Sequence, residues 1–158
     1  MKRWAEFDRD RRYRWLLVRE WAPERAVCMF IMLNPSTADE TTDDPTIRRC
    51  ISFADRWDYG TLYVVNLFGF RAAKPEALVE AADPVGPMND EWIRNSAPEA
   101  TLIVCAWGTL GALYRRDQAV TEVLAAHPLK CLGRTRDGHP RHPLYVKSET
   151  TLEDWRRP

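Results

Sequence analysis

One stretch limits what this chain can become. Val27–Leu33 is an unbroken run of seven apolar residues that ends abruptly in Asn34-Pro35-Ser36. Periodicity alone does not separate strand from helix in so short a run. The stop favours a strand, because the residue before a proline is pushed out of the helical region. With no polar alternation, the strand must be buried on both faces, as at the centre of a parallel sheet. Open sheets of this kind bind ligands beyond the carboxyl ends of their strands. Asn34, Pro35 and Ser36 therefore stand where a site is expected, although the same three residues would also serve as a plain turn.

The 158 residues suit a single α/β domain, 1–158, with enough chain for a real core. Seven tryptophans exceed what a core needs, so some are expected to line a groove or interface. The formal net charge is zero, so no global field draws the protein to nucleic acid, and such a partner would need local basic patches. Three clusters qualify: Arg9-Arg11-Arg12-Arg14, Arg48-Arg49 and Arg134-Arg136-Arg141. The four cysteines form no Cys-x-x-Cys pair, and no metal or cofactor is expected. No secretion signal or membrane-spanning run is visible, so a cytoplasmic location with reduced thiols and no membrane partner is expected.

Taken in order, Met1–Arg12 is charged and aromatic, and Tyr13–Trp21 alternates as an edge strand does. A short turn at Pro23-Glu24-Arg25 then suggests an antiparallel hairpin with the central strand. Thr37–Asp44 is a polar, acidic loop, hostile to a phosphate backbone. Asp44-Pro45 reads as an N-cap followed by proline at the first helical position. The helix should run to about Trp57, with Arg48 and Arg49 outward and Tyr59-Gly60 closing it.

A second buried strand is expected at Leu62–Leu67, a short helical turn at Glu76–Glu80, and a helix from Asn89 or Asp90 to Ala97. A third strand, Thr101–Ala106, ends at Trp107-Gly108, and a helix follows over Leu110–Ala126. Leu129–Leu132 and Leu144–Lys147 read as short strands, and Thr151–Trp155 as a helical turn. The alternation predicts a three-layer α/β/α sandwich around a mostly parallel central sheet of about four strands, with an N-terminal antiparallel edge strand.

Four strand ends then converge: Asn34-Pro35-Ser36, Asn66-Leu67-Phe68, Trp107-Gly108 and the basic loop with His139 and His142. An asparagine amide offers a donor and an acceptor, which suits the edge of a base. Phe68 or Trp107 could stack on a flat ligand, and a histidine could donate to charge developing on a leaving group. Plain readings stand beside these: asparagines that satisfy loop backbone, aromatics that fill the core, and Gly-His-Pro as turn chemistry. Asp39, Glu40, Asp43 and Asp44 lack a recognisable metal-ligand spacing and read as caps and solvated charges.

The strings MLNPSTADE, DDPTIRRC, VVNLFGFRA, DPVGPMND, CAWGTLG and DGHPRHPLY closely resemble the DUF1643 family, over about Tyr13–Val146. Their order also resembles, more distantly, the uracil-DNA glycosylase superfamily. That resemblance implies that Asn34 orients an attacking water, Asn66 reads the base, and Trp107-Gly108 closes the strand end. It also implies that His139 or His142 steadies the departing base. Met32 stands where that superfamily's motif has glycine, and the histidine motif carries one extra residue.

A nucleobase-recognising protein follows as the expected function, with nucleic acid or a nucleotide as partner. It could be an N-glycosidase that releases an aberrant base, with Arg134, Arg136 and Arg141 on phosphates. The alternatives are a non-catalytic binding module on the same fold, or a hydrolase of free nucleosides or nucleotides. Asn34 could only orient water, since an amide takes up no proton near neutral pH.

Overall fold

The computed structural model describes residues 1–155. Among these residues a mixed sheet of seven strands carries helices on both faces. Its strands in chain order are β1 (Lys2–Phe7), β2 (Arg14–Glu20), β3 (Val27–Met32), β4 (Thr61–Asn66), β5 (Leu102–Cys105), β6 (Lys130–Cys131) and β7 (Glu153–Asp154). They lie side by side as β1-β2-β4-β3-β5-β6-β7. The segment β4-β3-β5-β6 is parallel throughout, and the pairs at both edges are antiparallel.

The apolar run takes the central place expected of it. Cys28, Met29, Phe30 and Ile31 are fully buried, between β4 on one side and β5 on the other. Alternation assigns the two faces. Met29 and Ile31 join Val65, Ile103 and Cys105 in one core, covered by α3 (Asn89–Ser96) and α4 (Arg116–Val123). Cys28, Phe30 and Met32 join Leu62, Val64 and Val104 in the other, covered by α1 (Pro45–Arg56).

Helix α1 starts as its sequence dictates. The Asp44 carboxylate accepts from the Ile47 N–H at 2.8 Å, a cap of about 1 kcal/mol. Ile47, Cys50, Phe53 and Ala54 are its buried face, and Phe53 stacks on Trp57 beside Phe30. The left-handed residue past its end is Asp58 (φ 68°), whereas Gly60 donates to Ala26 O. Gly60 is required for another reason: a Cβ there would stand 1.8 Å from Ala22 O. The short helix α2 occupies Glu76–Glu80, as expected.

Several expectations are corrected. β2 pairs with β1 and β4, never with β3, so the expected hairpin with the central strand does not form and β1 takes the edge. Asn89 does not cap α3; its amide donates to the carbonyls of Asn66 and Leu67 at 2.8 and 3.2 Å. The expected continuous helix over 110–126 is broken. A tight 3₁₀ segment at Thr109–Arg115 is followed by α4, with Tyr114 and Arg115 both left-handed (φ 54° and 55°). Leu144–Lys147 is no strand: Pro143–Tyr145 forms a 3₁₀ turn. The expected helical turn at Thr151–Trp155 is replaced by β7, which pairs antiparallel to β6. Residues 156–158 lie outside the described residues.

No helix among the described residues is long and apolar enough to cross a membrane. The four cysteines are buried, and no group of three or more His, Cys, Asp or Glu side chains that could hold a metal occurs among the described residues.

Candidate functional site

A cleft of about 420 Å³ opens beyond the carboxyl ends of β3 and β5. Asn34 comes to it two residues after β3, and Trp107 two residues after β5. The loop after β6 supplies Thr135, Arg141, His142 and Tyr145. Segments that are far apart in sequence therefore meet at one mouth, as strand order in a parallel sheet requires.

The Asn34 amide is fixed. Its Nδ2 donates to the carbonyls of Pro35 and Ala72, at 3.0 and 2.9 Å. Two carbonyl neighbours settle which end is nitrogen, so Oδ1 is left as a free acceptor. The bond to Ala72 is matched by the Ala72 N–H donating to Pro35 O at 2.9 Å, which locks the two segments together.

His142 is fixed from the other side. Its Nδ1 accepts from the Leu144 N–H at 3.1 Å, which places the imidazole proton on Nε2. Burial pushes the imidazole below its ordinary 6.5, with the Asp44 carboxylate acting weakly against this. His142 is therefore a neutral ring offering one donor, and Tyr145 lies against it at 5.3 Å between centroids. Arg49, expected to face outward, holds this loop to α1 instead. Its guanidinium donates to the carbonyls of Pro143 and Val146 and to Ser148 Oγ.

Trp107 is 2% exposed, packs on Trp155 and keeps its Nε1 without a partner among the described residues. Gly108 follows with φ 75°, a conformation that costs a side chain but not glycine. Its N–H donates to Pro140 O at 2.9 Å, pinning the histidine loop to the end of β5. A Cβ on Gly111 would stand 2.0 Å from the Trp107 ring, so the 3₁₀ segment can close over the indole only with glycine there. Arg141 is the one cation of the lining besides the titratable His142, and no carboxylate lines the cleft among the described residues.

Other expected site residues lie elsewhere. Asn66 is 1% exposed and does not line the cleft; both its amide atoms lack a partner among the described residues. Phe68 is fully buried, edge-on to Tyr114 at 6.4 Å, so it is core and cannot stack on a ligand in the cleft. Pro35 is buried, and Ser36 faces a different groove. His139 lines a separate pocket of about 290 Å³ with Asp117, Gln118 and Trp155. Arg134 lies over the Trp155 ring and donates to Asp154 O, and Arg136 is exposed outside the cleft.

In the acidic loop the expected cap forms at Asp44, and two of its other carboxylates are paired rather than solvated. Asp39 accepts from the N–H groups of Thr41 and Thr42, which with burial working weakly the other way holds its carboxyl below the ordinary value. Glu40 pairs with Arg11, Asp43 with Arg19, and Asp44 caps α1. Its charges are thus mostly spent within the fold. Thr135 and Tyr145 were missed by sequence reasoning: Tyr145 lies in a 3₁₀ turn and Thr135 in the irregular turn before His139, and neither gives a periodicity to read.

No curated protein and no solved structure matches the chain. The model of DUF1643, described as a protein of unknown function, matches residues 14–144, a span that holds every cleft residue except Tyr145. The chain belongs to the DUF1643 family.

Proposed function

We propose that the cleft takes a nucleobase, and that the protein is a base-recognising module of uracil-DNA glycosylase-like type. One observation carries this reading: a fixed acceptor, Asn34 Oδ1, and a fixed donor, His142 Nε2–H, line one mouth with the Trp107 indole. An acceptor and a donor on one cleft are the two groups that the N–H and C=O of a planar lactam ring would need. A cleft of about 420 Å³ is the right size for a base or nucleoside. A three-layer sandwich of the glycosylase type accords with the parallel segment and its two helical covers. Met32, which replaces the superfamily's glycine, is 5% exposed and packs into the α1-side core, so it leaves room for a ligand.

Asn66 lies buried outside the cleft lining. A buried amide with neither atom partnered among the described residues costs roughly 1–3 kcal/mol for each unsatisfied group. Movement of the floor would be needed for Asn66 to meet a base.

A second reading, N-glycosidic hydrolysis, rests on Asn34. With its NH₂ held by two carbonyls, Oδ1 can accept from a water and aim it at a sugar carbon. The neutral His142 would then donate to the departing base. Without a carboxylate in the lining, no residue can take the water's proton or counter a positive sugar, so any such hydrolysis is slow.

The test is calorimetric titration with free bases, nucleosides and nucleotides, followed by base-release assays on modified single- and double-stranded DNA. The expected result is saturable binding of at least one base, weakened about tenfold in His142→Ala, the loss of about one hydrogen bond. Folded protein that binds none of the panel overturns the reading. Binding without release leaves a recognition module, and release establishes the glycosidase.

A further inference from the structure

A second concavity, a shallow groove of about 390 Å³, lies across the wall from the cleft. Its sides are the β1–β2 turn, with Arg11 and Arg12, and the segment Phe70–Ala73, with Arg71; Ser36 and Thr37 complete it. The wall is the pair of hydrogen bonds that join Asn34, Pro35 and Ala72. Asn34 faces the cleft and Ser36 the groove, so the two concavities are separated by two residues of chain, about 7 Å.

The charges here are not used up. Arg12 is exposed and its side chain has no partner among the described residues. Arg71 meets no carboxylate among the described residues: Nη1 donates to Arg11 O at 3.3 Å, the guanidinium lies 4.9 Å from the Phe7 ring centre, and its buried Nε has no partner among them. Arg11 is offset by Glu40 at 3.0 Å, and Asp8 is turned inward, accepting from the Tyr13 N–H. Asp10 is the remaining carboxylate of the turn. Arg11 itself is held at φ 57°, where a non-glycine residue is uncommon and the backbone is strained. Two guanidinium groups without counter-ions, beside two hydroxyl side chains, form a receptor for a phosphate ester.

We infer that this groove binds the phosphate ester on the sugar of the nucleotide whose base is held in the cleft, and that Arg12 and Arg71, in place of Arg134 and Arg136, are its cations. The inference rests on the nucleobase reading for what fills the cleft. It does not need that reading for the groove itself, which a ligand without a base can probe.

The probe is a short fluorescent strand of abasic deoxyribose phosphates, titrated by anisotropy against the wild-type protein and Arg12→Gln, Arg71→Gln and Arg136→Gln. Two cation contacts to a single strand give a logarithmic salt slope of about −1.4, so wild-type affinity should fall about sevenfold from about 50 to about 200 mM salt. Removing one contact should reduce that loss to about 2.6-fold in Arg12→Gln, whose side chain supports nothing in the fold, and in Arg71→Gln. Arg136→Gln should match wild type.

Paired titrations with a nucleoside and its 5′-monophosphate identify the source of the ester. A monophosphate advantage that vanishes in Arg12→Gln assigns it to a free nucleotide; an effect confined to the strand assigns it to a nucleic-acid backbone. An unchanged salt response in Arg12→Gln, or a loss in Arg136→Gln instead, overturns the inference. Strand binding with the expected salt slopes but no binding of any base would leave the groove standing and remove the reading of the cleft.

Discussion

Replacing Arg19 with methionine should destabilise the protein by about 3–5 kcal/mol, the range for removing one partner of a buried ion pair. Arg19 is fully buried on β2, and its guanidinium reaches across to the acidic loop. Nε donates to Asp43 at 2.7 Å, and Nη2 donates to the carbonyls of Asp39 and Thr42 at 2.6 and 3.2 Å. Methionine would fill much of the volume but leave the Asp43 carboxylate, 18% exposed, without its cation. Two loop carbonyls would lose their donor as well, at about 1 kcal/mol or more each if water does not reach them. Partial hydration of Asp43 places the expected value near the lower end, about 3 kcal/mol.

Urea unfolding followed by tryptophan fluorescence is the assay. With a slope of about 2 kcal/mol per molar, the midpoint should fall by about 1.5 M. The double variant Arg19→Met, Asp43→Leu should recover most of the loss, because an apolar pair needs no counter-ion. Limited proteolysis within residues 39–44 should accelerate in the single variant only. A single-variant loss under about 1 kcal/mol, or a double variant less stable than the single, would refute the view that this pair ties the loop after Asn34 to the sheet.

Three further outcomes are expected. His142 has its folded-state pKa pushed below the ordinary 6.5, so below that pH the unfolded chain binds a proton that the folded chain resists, and stability falls as pH drops. Comparing wild type with His142→Gln isolates this; a difference that is flat from pH 8 down through the acid range excludes it. Gly111→Ala should cost about 1–3 kcal/mol and shift the tryptophan emission, since its Cβ would sit 2.0 Å from Trp107 Cδ1; an unchanged spectrum and midpoint would show that the 3₁₀ segment yields freely. Asn66→Leu should leave stability unchanged or raise it by about 1 kcal/mol, by removing unpaired polar atoms. A marked loss of stability in thermal unfolding would mean that the amide has partners in the native state.

Local sequence rules carried the core of the fold. Seven apolar residues stopped by Asn34-Pro35 favour a doubly buried strand, and β3 is one, parallel to β4 and β5. Asp44-Pro45 starts a helix by its own chemistry, because cap and first turn lie within four residues of each other. The position of Asn34 and Trp107 at one sheet edge follows from parallel strands alone. Strand partners did not follow: β2 and β3 are joined by a short turn, yet β4 inserts between them, a choice made by long-range pairing.

The fate of each polar side chain was likewise decided by contacts far off in sequence. Arg19 and Arg49 look like surface charge until Asp43 and the carbonyls of Pro143 and Val146 are brought against them. Two histidines spaced three residues apart are equivalent on paper. The turn at Pro143 gives His142 a backbone N–H and a place in the cleft, and leaves His139 on another surface. Sequence therefore determined the strands and helix start that depend on near neighbours. Which amides, imidazoles and guanidinium groups remain free for a ligand was settled only by tertiary packing, since that depends on partners tens of residues away.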